Sequence, residues 1–267
     1  TRRIGGTASQ MTVPDDVSLD RGQRDVPTDL LGAAKLTGST DSLRYGLLAA
    51  FEDDVEWLAT SANDQPITLT GEGRDFAVAR VMYTAPETTS WGYMGTYMSG
   101  SQFDTSVHSL DGHLRNRDGS LNADAQLIMS DRDGVTGYGA MFDALYSTSP
   151  NLRHKFELDV MDEDIDFNDL GFLRRNDYVL GRYVLLYNKQ NLSENLSNYR
   201  TTLVVKHQHN LSEDQITDSA VLWRSSVELP KRNTLRLGIG YFPERYEDID
   251  SRGNGAYKVD GGGWFET

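Results

Sequence analysis

The sequence predicts an all-β protein: an antiparallel up-and-down meander forming a transmembrane, outer-membrane β-barrel that is part of a larger barrel. Three observations carry this expectation. Successive stretches alternate apolar and polar residues with the period of two that a pleated strand imposes. A rhythm of roughly 20 residues per strand-plus-loop runs along the chain without helical punctuation. The 267 residues include 13 Tyr, 9 Phe and 4 Trp against 7 Pro, a composition suited to pleated surfaces and to the aromatic belts of a membrane interface.

The alternation is clearest between Leu121 and Asp159. In the first segment Leu121, Ala123, Ala125, Leu127 and Met129 share a face, with Asn122, Asp124, Gln126 and Ser130 opposite. From Gly137 to Tyr146, the residues Tyr138, Ala140, Phe142, Ala144 and Tyr146 oppose Gly137, Gly139, Met141 and Asp143. From Leu152 to Val160, Leu152, His154, Phe156, Leu158 and Val160 oppose a fully charged stripe of Arg153, Lys155, Glu157 and Asp159. In a soluble sandwich the oily face would pack on a second sheet. In an outer-membrane barrel it would meet lipid, and the charged face would line a polar lumen. Strands of ~9–11 residues, tyrosine and tryptophan near strand ends, and short turns alternating with longer acidic loops favour the barrel.

Taken in order, residues 1–27 hold Gly5, Gly6, Pro14, Asp15, Asp16 and Pro27 without a sustained period and read as an irregular lead-in. Residues 28–267 read as the barrel domain, incomplete at its C-terminal end. Leu30 to Thr37 and Leu43 to Phe51 form the first pair of strands, joined through Gly38-Ser39-Thr40-Asp41. The polar run to Arg74 is a loop in which Trp57 serves as a loop or rim anchor. Asp75 to Thr84 and Ser90 to Ser99 form a hairpin through Ala85-Pro86-Glu87-Thr88, and Thr105 to Asn116 leads through Arg117-Asp118-Gly119-Ser120 into the Leu121 strand. Asp-Gly is a strong hairpin signal, and Asp131-Arg132-Asp133-Gly134 repeats it. Beyond the acidic segment Met161 to Asp166 come Tyr178 to Tyr187, Tyr199 to His209, Thr217 to Leu229, Thr234 to Phe242 and the unfinished Ala256 to Phe265, about twelve to thirteen strands in all.

Composition excludes several classes. Mean hydropathy is −0.52 and no run approaches the ~20 apolar residues of a transmembrane helix, a test that strands escape because only every second residue need be apolar. With no cysteine, neither a disulfide framework nor a thiolate metal site can form. A net charge of −14 lacks the basic footprint of nucleic-acid binding. The N-terminal residues show no apolar signal-peptide core, and Gly261 to Thr267 read as the middle of a strand, so the chain is expected to be part of a longer polypeptide.

The face assignments nominate Asn122, Asp124, Gln126, Arg153, Lys155, Glu157, Asp159 and Arg236 as lumen-lining, and Trp91, Tyr93, Tyr97, Tyr138, Tyr146, Trp223 and Tyr241 as an aromatic girdle. The carboxylates of 162–166 do not keep the spacing of a calcium loop. They read as a solvated or lumenal acidic loop, with Arg174 and Arg175 close enough in sequence to pair with them. His207 and His209 share a strand face without an evident third ligand. Asn191, Asn195 and Asn210 begin Asn-Leu-Ser patterns, which carry no glycosylation consequence in a bacterial envelope protein. No catalytic residue, cofactor or metal is nominated.

Arg2-Arg3-Ile4-Gly5, Leu31-Gly32-Ala33-Ala34-Lys35-Leu36-Thr37-Gly38 and Asn168-Asp169-Leu170-Gly171-Phe172-Leu173-Arg174-Arg175-Asn176-Asp177 resemble landmarks of an uncharacterised bacterial envelope domain. That domain usually follows a secreted module similar to family-9 carbohydrate-binding modules, and its C-terminal portion looks like an outer-membrane β-barrel. The resemblance implies outer-membrane lipid as a partner, with an envelope protein or glycan ligand besides, and no established catalytic residues. The leading expectation is therefore a non-enzymatic outer-membrane barrel for transport or surface display, with a glycan-related ligand as what the resemblance adds. The alternatives are a secreted polysaccharide-active enzyme using paired carboxylates among Asp111, Asp124, Asp143, Glu157 and Asp159, and a plugged barrel anchoring a surface partner.

Overall fold

The alternating stretches become strands, and most of them join one sheet. The computed structural model describes residues 4–6, 13–23, 26–85, 88–193, 196–250 and 255–267. Its strands are β1 (Val17–Leu19), β2 (Leu30–Ser39), β3 (Leu43–Glu52), β4 (Val55–Ser61), β5 (Pro66–Gly71), β6 (Asp75–Thr84), β7 (Thr89–Ser99), β8 (Asp104–Arg115) and β9 (Leu121–Arg132). They continue with β10 (Val135–Ser149), β11 (Leu152–Met161), β12 (Tyr178–Ser193), β13 (Leu196–His209), β14 (Ile216–Leu229), β15 (Asn233–Phe242), β16 (Arg245–Glu247), β17 (Tyr257–Val259) and β18 (Gly262–Glu266).

Thirteen strands pair antiparallel in the order β18-β15-β14-β13-β12-β11-β10-β9-β8-β7-β6-β3-β2. Each strand lies beside its predecessor in the chain except at two excursions. Between β3 and β6 the chain makes the β4–β5 hairpin, which takes β1 as a third strand, and between β15 and β18 it makes the β16–β17 hairpin. The connections alternate in length. One rim carries tight turns, such as Asn116–Ser120, where Gly119 takes φ +71° and its N–H donates to the Asn116 carbonyl at 3.0 Å. The other rim carries both excursions and the connection 162–177 between β11 and β12; its short connections include 100–103 between β7 and β8 and the β9–β10 turn, where Asp133 and Gly134 both adopt positive φ.

Register assigns the two faces. Leu110, Leu127 and Ala140 are direct cross-strand neighbours, as are Leu203, Trp223 and Ile239. Leu36, Leu47, Val81, Phe142, Phe156, Leu158, Val221 and Phe265 lie on the same face, and every one of them is exposed. The buried clusters lie on the opposite, polar face. Ala50, Phe76 and Met98 are buried there with Ile4, Phe103 and Leu170 packed on them, and Ile128, Met161 and Ile165 are buried with Val107, Met141, Phe167, Leu173 and Tyr178. Segments 4–6 and 162–177 are thus folded over the polar side, while no layer covers the apolar side among the described residues.

Gly137 and Gly139 on β10 admit the 162–177 segment. A Cβ on Gly137 would collide with the backbone of Asp164 and Ile165, and one on Gly139 would stand 2.5 Å from Met161 Sδ and 2.7 Å from Ile165 Cδ1. The segment is pinned along its length. The Asp162 N–H donates to the Tyr138 carbonyl at 3.0 Å, the Asp166 N–H donates to Ser130 Oγ at 2.9 Å, and Asp177 Oδ1 accepts the N–H groups of Leu211 and Ser212, both at 3.0 Å. At the same rim the Gly5 N–H donates to Glu52 Oε1 at 2.8 Å, and Arg74 donates to both Glu52 oxygens. A carboxylate buried this deeply is stable only when its lone pairs are filled.

The antiparallel all-β meander is as expected; the described strands form an open sheet with β2 and β18 at its edges, and no closed barrel is found among them. Several other expectations need correction. The lead-in contributes a strand, β1, because Val17–Leu19 finds an edge on β4. Trp57 is no rim anchor: it is 3% exposed within β4, against Gly71, whose missing side chain leaves room for the indole. The Ala256–Phe265 stretch is divided, since Tyr257–Val259 pairs with β16 and only Gly262–Glu266 reaches β15. The segment 162–177 is ordered rather than merely solvated, with Ile165 1% exposed. Arg175 pairs with Asp248, and Asp166 with Arg132, because the folded segment points these groups away from each other. Arg2, Arg3, the Pro86-Glu87 turn and Asn195 lie outside the described residues.

Candidate functional site

Strand pairing turns the alternating polar residues into lateral rows. One row crosses six strands as His113, Asp124, Asp143, Glu157, Arg182 and Lys206. The next contains Asp111, Gln126, Met141, Asp159 and Leu180. Direct cross-strand neighbours stand ≈ 4.5–5.5 Å apart at Cβ, so like charges in a row repel and need cations between them.

Those cations are present in two groups. Arg80 grips Asp111 with both terminal nitrogens, Nη2 to Oδ2 at 2.8 Å, a fork geometry that only a guanidinium supplies. Gly92 on the intervening β7 permits this approach, because a Cβ there would stand 2.5 Å from Arg80 Nη2 and 2.6 Å from Asp111 Oδ2. His113 extends the group, with Nε2 3.1 Å from Asp111 Oδ2 and Nδ1 2.5 Å from Asp124 Oδ1. A neutral imidazole has one N–H, so only the imidazolium donates to both carboxylates. In the second group Lys155 Nζ lies 3.6 Å from Asp143 and 3.8 Å from Glu157, and Arg182 Nη1 donates to Glu157 at 3.2 Å. Asp159, 8% exposed, adjoins this group without a direct ion pair among the described residues.

All eight residues nominated as lumen-lining occupy this polar face. Asn122 stands opposite Arg115, Arg153 opposite Ser147 and Leu186, and Arg236 opposite Ser226, in the rows that flank the ion pairs. The seven nominated aromatics all occupy the apolar face. Trp91 and Tyr146 stand toward the tight-turn rim, and Tyr97, Tyr138 and Tyr241 toward the opposite rim. Tyr93 and Trp223 stand at mid-strand; Tyr93 bonds His108 Nδ1 at 2.8 Å, and Trp223 Nε1 donates to Thr201 Oγ1 at 2.9 Å. Sequence reading missed Arg80, His113 and Arg182 as members of the ionic face. A signal was available for Arg182, the single charged residue of the otherwise apolar Tyr178–Tyr187 stretch, but His113 requires the register of β8 against β9.

A model of a domain of unknown function, DUF5916, matches residues 1–260. The chain belongs to the DUF5916 family. No curated protein and no solved structure matches it. In this DUF5916 domain, then, the arrangement itself states the available chemistry. Asp111, Asp124 and Glu157 are each engaged by a cation, and the described residues contain no group of three or more His, Cys, Asp or Glu arranged to hold a metal ion. His207 shares a hydrogen bond with Ser219 Oγ at 2.8 Å, and its ring is tilted 38° to that of His209, with centroids 5.6 Å apart.

Proposed function

We propose that this chain forms much of the wall of a bacterial outer-membrane β-barrel, non-enzymatic, which serves transport or surface display and whose lumen is narrowed by its own connections. The observation that carries the reading is the uncovered apolar face. Large apolar side chains, among them Leu36, Leu47, Trp91, Leu110, Leu127, Tyr138, Ile239 and Phe265, are exposed from one edge of the sheet to the other. Exposed apolar patches on soluble monomers rarely exceed a few hundred Å², whereas a sheet of thirteen strands measures roughly 60 Å across at ~4.8 Å per strand. Lipid is the solvent that such a face fits.

Three further features support the reading. Open twisted sheets rarely exceed ~10 strands without curling or closing. Among the thirteen strands, all but the edge strand β18 run 10 to 16 residues, enough to span the ~9–11 that a tilted membrane strand needs. Tight turns at one rim and larger excursions at the other match the periplasmic and extracellular ends of such barrels. Closure would bring β2 and β18 together directly or through further strands, since each edge otherwise presents unpaired backbone groups.

The inward-folded segment 162–177, with Ile165 and Leu170 packed on different parts of the polar wall, favours a constricted lumen over a wide pore. A glycan-related cargo comes only from the landmark resemblance in 31–38 and 168–177. The polysaccharide-enzyme reading is weaker, because three of its five candidate carboxylates, Asp111, Asp124 and Glu157, are tied to Arg80, His113 and Arg182.

The test is fractionation of the full-length protein, followed by gel electrophoresis in mild detergent with and without boiling. Outer-membrane partitioning with heat-modifiable migration supports the barrel. Recovery as a soluble, heat-insensitive protein overturns it.

A further inference from the structure

The 162–177 segment and the chain leaving β15 approach each other over the polar face, joined by the Arg175–Asp248 ion pair across 73 residues. Between them and the wall of β10–β14 lies a cavity of about 730 Å³, within the ~300–1,000 Å³ of small-molecule sites. Its floor is apolar, built from Met141, Met161, Phe167, Leu173, Phe242 and Ile249. Its charged groups are Arg174, Arg175 and Arg245 against Asp218 and Glu247.

The acids are already engaged, whereas of the guanidiniums only Arg175 is, and only in part. Lys206 Nζ holds Asp218 at 2.6 Å, and Glu247 Oε1 accepts the Ile249 N–H at 3.1 Å. Arg174 and Arg245 enter no ion pair among the described residues. Arg175 uses Nη2 on Asp248, and its Nε and Nη1 are buried without a hydrogen-bond partner. A guanidinium carries five N–H donors, and a buried charged donor left unpaired is costly. In a chain of net charge −14, an excess of unsatisfied positive charge beside an apolar floor calls for an anion with an apolar body.

We propose that this cavity binds a small anionic amphiphile, a carboxylate whose apolar part lies on the Met–Phe floor and whose head group meets Arg245 and Arg174 and draws the guanidinium of Arg175 toward it. The wall is held in place for this. The Leu173 N–H donates to Asn168 Oδ1 at 2.8 Å, and Asp177 binds the backbone of 211–212, so Phe172 to Arg175 are fixed at both sides. The inference deepens the transport reading by naming a ligand class for the lumen, although the cavity itself needs no membrane.

The experiment incorporates the full chain into lipid nanodiscs and titrates it with 4-(4-fluorophenyl)butyrate, followed by ¹⁹F NMR, with empty nanodiscs subtracted. The neutral amide of the same compound is the comparator. Saturable binding is expected, weakened about ten-fold for the amide and in Arg245→Gln and Arg175→Gln, the scale of one lost charge-assisted contact. Arg245 makes no ion pair among the described residues, so its variant reads the site even where Arg175→Gln disturbs the fold. Equal affinity of carboxylate and amide, signal no greater than that of empty discs, or wild-type affinity in both variants overturns the proposal. Failure of the chain to co-elute with nanodiscs counts against the membrane reading alone, and the same titration on the soluble chain then tests the cavity.

Discussion

Leu127→Arg separates a lipid-facing wall from a water-facing one. Leu127 is the seventh of twelve residues in β9, is 61% exposed on the apolar face, and stands between Leu110 and Ala140. On a water-facing surface this exchange removes little packing and costs within about 0.5 kcal/mol. At a bilayer midplane an arginine on the lipid face of a barrel costs ~2–4 kcal/mol, and near the interface ~0–1. Leu235, third of ten residues in β15, is 56% exposed on the same face beside a tight turn, so it supplies the interfacial control. Leu127→Arg should therefore lower the folding constant ~30- to ~900-fold and Leu235→Arg no more than about five-fold. Guanidinium titrations in phospholipid vesicles, read by tryptophan fluorescence, measure both. A Leu127→Arg protein within about 0.5 kcal/mol of wild type, or equal costs at the two sites, would refute a membrane-spanning β9.

Reversing charge at both Glu157 and Asp159 to lysine should shift ion selectivity away from cations in a planar-bilayer recording, since both stand on the polar wall; unchanged selectivity would remove them from the conduction path. Gly137→Ala places a Cβ in the backbone of Asp164 and Ile165, so it should lift the 162–177 segment and speed limited proteolysis within it while cleavage elsewhere is unchanged. Arg80→Met strips Asp111, whose side chain is 9% exposed, of its bidentate partner; with Arg80 itself 33% exposed, the loss should be about 1–2 kcal/mol in urea unfolding, below the ~3–5 of a fully buried pair. The Ser120 N–H donates to Asp118 at 2.9 Å and holds its carboxyl below the ordinary value. Its folded pKa is the lower one, so its stabilisation is present above the unfolded pKa and fades as pH falls through the folded value; Asp118→Asn should remove that acid sensitivity, and an NMR titration of Asp118 shows the lowered midpoint directly.

The period-two alternation, clearest from Leu121 to Asp159, determined a great deal by itself. Along the chain it set most strands, their two faces, the eight polar and seven aromatic nominees and a strand count close to the thirteen of the main sheet, because period-two patterning is a local property that any pleated backbone must express. Two kinds of feature needed the tertiary structure. The Arg80–Asp111–His113–Asp124 group depends on register between strands, for Arg80 and Asp111 are 31 positions apart and meet only because Gly92 on β7 leaves the gap between them open. The docking of 162–177 is longer in range still: its acids face Arg132 and the Tyr138 backbone, and its Arg175 faces Asp248. Proximity along the chain suggested that Arg174 and Arg175 would neutralise the carboxylates beside them. A connection that folds over a sheet takes its partners from whatever wall it crosses, and that wall is assembled from distant parts of the chain, as Leu170 on Ala50 and Phe76 shows; Trp57 met the same rule, its burial decided by the gap at Gly71 and not by the polar run around it.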